Sequence, residues 1–307
     1  MQTKQVELAQ IDFNDERYVL APQPVQEPPE PLRRSLQRVG ILHPPLLMDL
    51  GHGQLIIVSG RGRLLAAASL HQRSCQARVL PPDTKPLETL ALLLEEKLFA
   101  PHFTIVEQAN FLKRVMAWLS PEEASCRFLP ILGLPPQINQ LQRLLRFTEL
   151  EEIILVNLHQ GRLDQKVSYE LLKLGFNDRF AIFEIITSLQ LSVSNQKKLL
   201  IASRELASRR GLAIHELLAT QAAQEILNQS GNIPQISKQL FSWLQGQRFP
   251  RSEAAEAEFS SFVQELGLPK DSSVAHSPYF EKDEVSLTLT FADRDELAEF
   301  TDNYLKS

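Results

Sequence analysis

The residues best suited to chemistry form a short turn of glycine and arginine, Ser59-Gly60-Arg61-Gly62-Arg63. The apolar residues 55–58 before the turn predict a buried strand, and the alanine-rich residues 64–68 after it predict a tightly packed helix. Glycine lets the backbone turn sharply, while the N–H groups at a helix start and two guanidinium groups attract an anion. The turn is therefore a candidate nucleotide or phosphate site. A plain strand-to-helix connection with solvated arginines is the alternative.

The flanking residues predict the elements that hold this turn in place. Residues 32–39 place leucine and valine on one helix face, and Gly40 suits the end of that helix. Residues 41–48 predict a turn that leads into an apolar strand, and the Gly-His-Gly sequence at 51–53 predicts a hairpin into the next strand. Residues 75–79 predict a further strand. The predicted order is helix, strand, hairpin, strand, anion turn, helix, strand.

This order, together with its motif residues, resembles the N-terminal domain of the ParB family, a fold that sulfiredoxin shares. Gly40 and Pro44 match the family's G-x-x-x-P approach, and Gly60 and Arg63 match its G-E-R-R box. The resemblance implies that the turn holds the phosphates of CTP, with Mg²⁺ as a companion ion. Arg61 stands where the family carries an acid implicated in hydrolysis, so we expect anion binding with little activation of water.

The other reactive side chains offer no alternative site. Sulfiredoxin chemistry would need a cysteine in the turn, whereas Cys75 lies well outside it. Cys75 and Cys126 sit among apolar residues without metal-ligand spacing, which predicts two small buried side chains. The histidines near the turn, His43, His52 and His71, have no acidic or cysteine partner at ligand spacing. We therefore expect no metal centre formed by protein ligands.

The sequence after the proline-rich stretch at 81–86 is almost wholly helical in pattern. Ser120 suits an N-cap, residues 131–134 suit a glycine-containing turn, and residues 136–146 suit a second short helix. This arrangement matches the helix-turn-helix plan, whose second helix enters the major groove of DNA. The outward side chains of that helix are of types that bind base edges and phosphates: Gln137, Asn139, Gln140, Arg143 and Arg146. An ordinary helical hairpin with a polar outer face is the alternative.

Leucine-rich motifs follow this helix in a fixed order, at 145–150, 158–163, 171–174 and 189–194. They resemble the central domain of ParB proteins, so the resemblance covers roughly residues 5–205. It implies DNA as a partner and a homodimeric clamp in which nucleotide changes how the N-terminal domains associate. A partner ATPase is a further implication.

Charge is distributed unevenly along the chain. The 307 residues carry 32 basic and 37 acidic side chains, and the excess acidity lies beyond residue 211. The rest is close to neutral, which permits a local basic face but is unlike a strongly basic, phosphate-driven binder. No uninterrupted apolar run reaches membrane-spanning length, and the N-terminus lacks a signal-peptide layout. We therefore expect a cytoplasmic protein without membrane contact, associated with the nucleoid if it binds DNA.

These patterns predict an α+β protein with three regions. Residues 1–84 form a small mixed α/β domain, residues 85–211 form a helical domain with the helix-turn-helix, and residues 212–307 form an acidic helical region. That region ends in an alternating strand at 286–291 followed by a helix, an isolated pair too small to bury its apolar surface. We therefore expect this strand to pack on the body of the protein or on a second subunit.

The whole pattern indicates a ParB-like DNA-binding protein that acts in DNA partition or transcriptional regulation and responds to nucleotide. Two other functions stay open. One is a degenerate ParB-like regulator that has lost nucleotide binding. The other is a small-molecule phosphotransfer or nuclease-type enzyme on the same fold, which is disfavoured because residues 59–63 contain no acid or histidine.

Overall fold

The computed structural model describes residues 2–98, 103–248, 250–268, 272–277 and 284–304. The chain divides into two compact units, Met1–Gln196 and Lys197–Ser307. The first unit opens with β1 (Gln2–Glu7), β2 (Ile11–Asp12), α1 (Glu30–Val39), β3 (Leu46–Asp49), β4 (Leu55–Ser59), α2 (Arg61–Ser69) and β5 (Ser74–Leu80). The predicted order, from the first helix through the turn to the last strand, is confirmed.

The strands form one mixed, five-stranded sheet in the order β1-β5-β3-β4-β2. β1 pairs antiparallel with β5, β3 pairs parallel with β5 and antiparallel with β4, and β2 pairs parallel with β4. Residues 55–58 of β4 are all buried, because the strand is central and both of its faces are covered. The anion turn therefore begins at the end of a rigid, fully packed strand.

Each face of the sheet packs against a different group of helices. One face buries Leu47 and Ile57 together with side chains of α1 and α2. The other buries Ile56 and Val58 together with leucines of α3 (Pro86–Leu98) and with Phe111 of α4 (Ile105–Val115). Consecutive residues of β4 thus enter opposite cores, as the two-residue period of a strand requires.

The first unit continues as helices. These are α5 (Pro121–Phe128), α6 (Ile138–Leu145), α7 (Glu152–His159), α8 (Gln165–Leu171) and α9 (Phe176–Ser188), and α10 (Val193–Arg210) begins here. Thr104 and Ser120 close capping boxes at the starts of α4 and α5 by exchanging hydrogen bonds with Glu107 and Glu123. Across the described residues, no helix combines the length and the apolar character needed to cross a membrane.

The second unit contains α11 (Ile214–Leu218), α12 (Gln221–Leu227), α13 (Ile233–Arg248), α14 (Pro250–Glu265), β6 (Ser272–His276), β7 (Val285–Leu289) and α15 (Arg294–Tyr304). β6 and β7 pair antiparallel, with Val274 opposite Leu287. The expectation that the C-terminal strand lacks a partner nearby in sequence is therefore wrong. Residues 272–276 supply that partner, and their Ser-Ser-Val-Ala-His sequence has too little apolar alternation to reveal a strand.

The two cysteines differ in their surroundings. Cys75 is buried in β5, as predicted, and burial raises the pKa of its thiol. Cys126 is exposed, so its predicted burial is wrong. It lies on α5, whose buried side is formed by Ala124, Ser125 and Phe128. Apolar neighbours in sequence therefore did not reveal which side of this helix faces the core.

Candidate anion site and candidate nucleic-acid interface

Gly60 determines the geometry of the turn. It is the N-cap of α2 and has φ 92° and ψ 21°, a left-handed conformation that other residues rarely adopt. A Cβ atom at this position would lie 2.8 Å from Pro45 Cβ and 2.9 Å from Arg63 Nη2. Glycine is thus required for the chain to pass directly from β4 into α2. It also leaves the N-terminus of α2 without a side-chain cap, with its first N–H groups available to a ligand.

Gly62 serves the packing of two helices. A Cβ atom at residue 62 would lie 3.3 Å from Leu32 Cδ2, which is tighter than ordinary van der Waals contact. Leu32 belongs to α1, so glycine lets α1 approach α2 closely. The two glycines of the turn therefore have different physical roles, one in the backbone conformation and one in packing.

The Arg61 guanidinium holds the connection between β2 and α1. Its Nη2 donates to Phe13 O at 2.5 Å, and its Nε donates to Val25 O at 3.1 Å. Its third nitrogen, Nη1, is buried and has no hydrogen-bond partner among the described residues. A buried donor without a partner costs about 1 to 3 kcal/mol of desolvation free energy. An anion beside Nη1 would offset that penalty.

Side chains of α4 hold the same connection from the other side. Arg114 donates to the carbonyls of Arg17, at 2.9 Å, and of Val19, and Asn110 Nδ2 donates to Leu20 O at 2.8 Å. Burial lowers the pKa of Arg114. Residues 13–25, which contain no regular element, are therefore fixed between the turn and α4 and form a strap over this part of the unit.

Arg63 contacts other residues of the same chain. Its guanidinium donates to the His43 carbonyl and lies 3.8 Å from the Glu96 carboxylate, which also pairs with Arg78. Burial lowers the pKa of Arg63, while the attraction of Glu96 acts in the opposite direction. The arginine that matches the ParB box is therefore part of a charge network with Glu96 and Arg78.

A cavity of about 230 Å³ lies beside the turn. It brings together four of the predicted ligands, Ser59, Gly60, Arg61 and Gly62, whereas Arg63 is not in its wall. The rest of the lining is mostly apolar: Tyr18, Val19, Leu20, Ala21, Val25, Ile57, Val58, Leu93 and Lys97. Burial raises the pKa of the Tyr18 hydroxyl at this site.

Lys97 is a candidate ligand that sequence reasoning missed. It lies in the cavity wall, and its ammonium forms an ion pair with the buried carboxylate of Glu107. Lys97 is distant from the turn in sequence and reaches it only because α3 packs on β4. The residues around Lys97 in the sequence do not indicate that this lysine lies in the cavity wall.

The cavity has room for a phosphate group and is smaller than the usual site for a drug-sized ligand, which encloses about 300 to 1,000 Å³. None of the described residues that line it is acidic, and the described part of the chain contains no cluster of His, Cys, Asp or Glu that could hold a metal. The described lining therefore offers Mg²⁺ no carboxylate.

The helices α5 and α6 pack against each other and against α4. Helical hydrogen bonding continues past the end of α5, where Leu132 N donates to Phe128 O at 3.2 Å, and it stops at Gly133, which has φ 72°. Pro130 interrupts α5 because proline has no N–H to donate. Gly133 N donates to Pro130 O at 3.0 Å and Leu134 N donates to Leu129 O at 2.9 Å. The predicted glycine-containing turn at residues 131–134 therefore lies within the connection between α5 and α6.

The second helix is shorter than predicted. Gln137 is an extended N-cap with φ −119° and ψ 135°, which is not a helical conformation. α6 therefore begins at Ile138 and not at residue 136. It ends at Leu145, and Arg146 belongs to the 3₁₀ turn Arg146–Glu149.

Exposure divides the predicted DNA-contacting residues. Gln137, Asn139 and Arg143 are exposed, whereas Gln140 and Arg146 are partly buried. Leu141 and Leu144 form the buried side of α6. The helical period places residues 139, 142, 143 and 146 on the opposite side, so the exposed Gln142 joins this face and was missed. Its spacing from Asn139 was the available signal.

Comparison with solved structures gives loose structural likenesses, among them three to ParB proteins. Two are C-terminally truncated chromosome-partitioning ParB from Caulobacter crescentus. The complex with CTP-γ-S has 17% identity and a TM-score of 0.26 over 57% of this chain and 94% of that chain. The complex with the centromeric parS site has 18% identity and a TM-score of 0.35 over 63% and 96%.

The third likeness is a Pnob8-like ParB-N domain, with 11% identity and a TM-score of 0.39 over 80% of this chain and 96% of that one. No family model matches the chain, and no curated protein matches it. Identities and TM-scores this low do not transfer geometry, ligands or partners to this protein.

Proposed function

We propose that the chain is a ParB-like DNA-binding protein that acts in DNA partition or transcriptional regulation. The observation that carries the proposal is the outward face of α6, on which Asn139, Gln142 and Arg143 are all exposed. Amide side chains bind base edges bidentately, and guanidinium groups bind guanine or phosphate. Leu141 and Leu144 anchor the opposite side of α6 in the core, so this face has a fixed orientation.

The charge of the chain agrees with binding through a local surface. The formal net charge is −5, so attraction between the whole protein and a polyanion is not expected. Binding would depend on α6 and its basic neighbours and would therefore be moderate and sensitive to salt. A purely structural helical hairpin would have the same polar face but would show no salt-sensitive binding to DNA.

Fluorescence anisotropy of the full-length protein with duplex DNA tests the proposal. Duplexes enriched from a random library should bind more tightly than a scrambled duplex of the same length, with an affinity that falls as salt rises. No binding to any duplex at low salt would overturn the proposal.

The cavity beside residues 59–62 is proposed to bind a phosphate-sized anion, with the phosphates of CTP as the first candidate. The uncapped start of α2 and the unpartnered Nη1 of Arg61 support this proposal. Arg61→Ala should weaken binding by about 1.5 to 3 kcal/mol, the value of a charge-assisted hydrogen bond. Arg63→Ala should weaken it less, because the Arg63 guanidinium lies outside the cavity wall and is held by the His43 carbonyl and Glu96. The exposed Arg73 lies outside the turn, so Arg73→Ala is the matched control.

Calorimetric titration with inorganic phosphate and with CTP, each with and without DNA, distinguishes a nucleotide-responsive protein from a nucleotide-independent regulator. Binding of phosphate but not CTP would favour the nucleotide-independent regulator. Binding of neither would remove the turn from the functional site. Phosphotransfer or nuclease activity is disfavoured because none of the described residues that line the cavity is an acid or a histidine.

A homodimer is proposed on the evidence of the C-terminal hairpin and the helix that follows it, where Val285 and Leu287 of β7 and Leu297 of α15 are exposed. A two-stranded sheet rarely buries enough surface to be stable by itself, so a second copy is a suitable partner. Sedimentation of the full chain and of a chain lacking residues 278–307 tests this. A full-length protein that stays monomeric at micromolar concentration would exclude the dimer, and with it the clamp.

A further inference from the structure

Tyr169 of α8 is surrounded by three cationic side chains. Arg143 Cζ lies 4.7 Å from the centre of its ring, Lys173 Nζ lies 5.2 Å away, and Arg146 Cζ lies 5.9 Å away. Two of these cations belong to α6 and its 3₁₀ extension, and the third follows α8. Distant parts of the sequence therefore form one cation cluster, defined here as Arg143, Arg146 and Lys173 around Tyr169.

The acidic groups near the cluster do not neutralise it. Lys173 pairs with Glu170 at 2.5 Å, and Arg146 lies 3.8 Å from Glu149. Arg143 forms no ion pair within the described residues. Three positive charges face two carboxylates, and the side chain of Glu149 is 61% exposed, where water screens its attraction. An excess of positive charge remains at the edge of α6.

Tyr169 fixes this excess charge in one place. Its ring is half-buried and lies 6.2 Å, centre to centre, from the ring of Phe147, which is fully buried. A cation over an aromatic ring gains about 0.5 to 2 kcal/mol, which offsets part of the repulsion between the cations. Phe147 is thus a rigid base for Tyr169, and Tyr169 is a positioning residue for the three cations.

We propose that the cation cluster binds the sugar–phosphate backbone of duplex DNA beside the base edges that α6 contacts. The proposal rests on the DNA-binding function proposed above and adds α8 and Lys173 to the surface that performs it. The Lys173 and Arg146 side chains are 40% and 39% exposed, so an extended polyanion can reach them. Contacts to phosphate fix the orientation of a protein on DNA, and base contacts provide specificity.

Salt dependence of DNA affinity tests the proposal. Lys173→Gln and Arg143→Gln, made separately in the full chain, should each lower the slope of log affinity against log salt concentration by about one unit. Lys173→Gln should weaken binding to enriched and scrambled duplexes alike. Lys85 is exposed and lies outside the cluster, so Lys85→Gln is the matched loss of one charge and should leave the slope unchanged.

Substitutions at the ring separate positioning from simple charge. Tyr169→Phe keeps the aromatic face and should retain wild-type affinity, whereas Tyr169→Leu should weaken binding to every duplex several-fold. Thermal unfolding of both variants identifies any loss of folding. If Tyr169→Leu fails to fold, the salt slopes of Lys173→Gln and Arg143→Gln decide whether the cation cluster binds DNA.

The outcomes distinguish this inference from the proposed function. Wild-type slopes for both Lys173→Gln and Arg143→Gln in a protein that binds DNA would overturn the cluster and leave the function standing. A wild-type protein that binds no DNA would overturn both.

Discussion

The anion turn and the cation cluster contain the same kinds of side chain in opposite states. In the turn, the guanidinium groups of Arg61 and Arg63 donate to three backbone carbonyls, and Arg63 also faces Glu96. Around Tyr169, Arg143 has no ion pair among the described residues. Arg146 donates to Leu172 O at 3.4 Å and, like Lys173, pairs with a carboxylate, but these two side chains stay 39% and 40% exposed. The arginines that match a recognised motif are thus the ones held by the protein.

This difference shows that residue type and spacing do not reveal whether a cation is available to a ligand. Availability depends on the carbonyls and carboxylates that the fold places nearby. In the turn, only Nη1 of Arg61 and the start of α2 remain for an anion. The turn is therefore mainly a structural junction, in which few donors are left for the proposed anion, whereas the proposed cluster is the more exposed of the two groups of cations. The predictions below test this division.

The largest effect is expected from Gly60→Ala. The substitution combines a left-handed backbone with a Cβ atom 2.8 Å from Pro45 Cβ and 3.0 Å from Pro45 Cα. We expect the free energy of unfolding to fall by about 2 to 4 kcal/mol, because strain and overpacking add. Gly133 also has a left-handed φ, 72°, but has open space around it. Gly133→Ala should therefore lose only about 1 kcal/mol. Equal losses in urea denaturation would contradict the junction role of Gly60.

Arg61→Gln and Arg143→Gln should give opposite results in two measurements. Arg61→Gln removes the bonds to Phe13 O and Val25 O, so amide hydrogen exchange in residues 13–25 should accelerate roughly tenfold or more. The salt slope of DNA binding should not change. Arg143→Gln should leave this exchange unchanged and lower the salt slope by about one unit. A changed salt slope in Arg61→Gln would place the turn in the DNA interface.

Asn139→Ala and Gln140→Ala compare neighbouring amides on α6. Asn139 is exposed, whereas Gln140 is partly buried at the edge of the outward face. Asn139→Ala should lower the preference for enriched over scrambled DNA by about 1 to 3 kcal/mol, the value of one base contact. Gln140→Ala should have a smaller effect on that preference. Competition binding measures both, and the reverse ranking would show that α6 presents a different face to DNA.

The elements around the turn could be predicted because local signals agree there. Apolar strands, a glycine hairpin and an alanine-rich helix are adjacent in sequence, so periodicity and turn residues locate them. The partners of Arg61 could not be predicted. Phe13 and Val25 offer backbone carbonyls, and a backbone carbonyl has no sequence signature.

The cation cluster was missed for a related reason. Tyr169 lies on α8 and Lys173 follows that helix. The sequence contains no signal that these residues pack beside Arg143. Gln142 was a different omission, since its helical spacing from Asn139 was visible. The pairing of β6 with β7 also depended on tertiary context, because the short strand at 272–276 is weakly patterned.

The smallest effect is expected at the start of α5, which supports α6. The backbone N–H of Ser120 donates to the Glu123 carboxylate, and this bond, with the Ser120 side chain, lowers the pKa of Glu123. A pKa that is lower in the folded protein means that the ionised carboxylate stabilises the fold. This contribution is present above the unfolded pKa of about 4.3 and is lost as pH falls through the folded value.

Glu123→Gln should therefore lower the thermal midpoint slightly near neutral pH. The difference from wild type should shrink as the pH falls below about 4, because the carboxylate becomes protonated and resembles an amide. Glu122 lies in the same turn but outside the capping box, so Glu122→Gln is the matched loss of charge. Identical pH profiles for the two variants would mean that general attraction to the helix N-terminus, and not the bond to Ser120, supports α5 and the α6 surface packed on it.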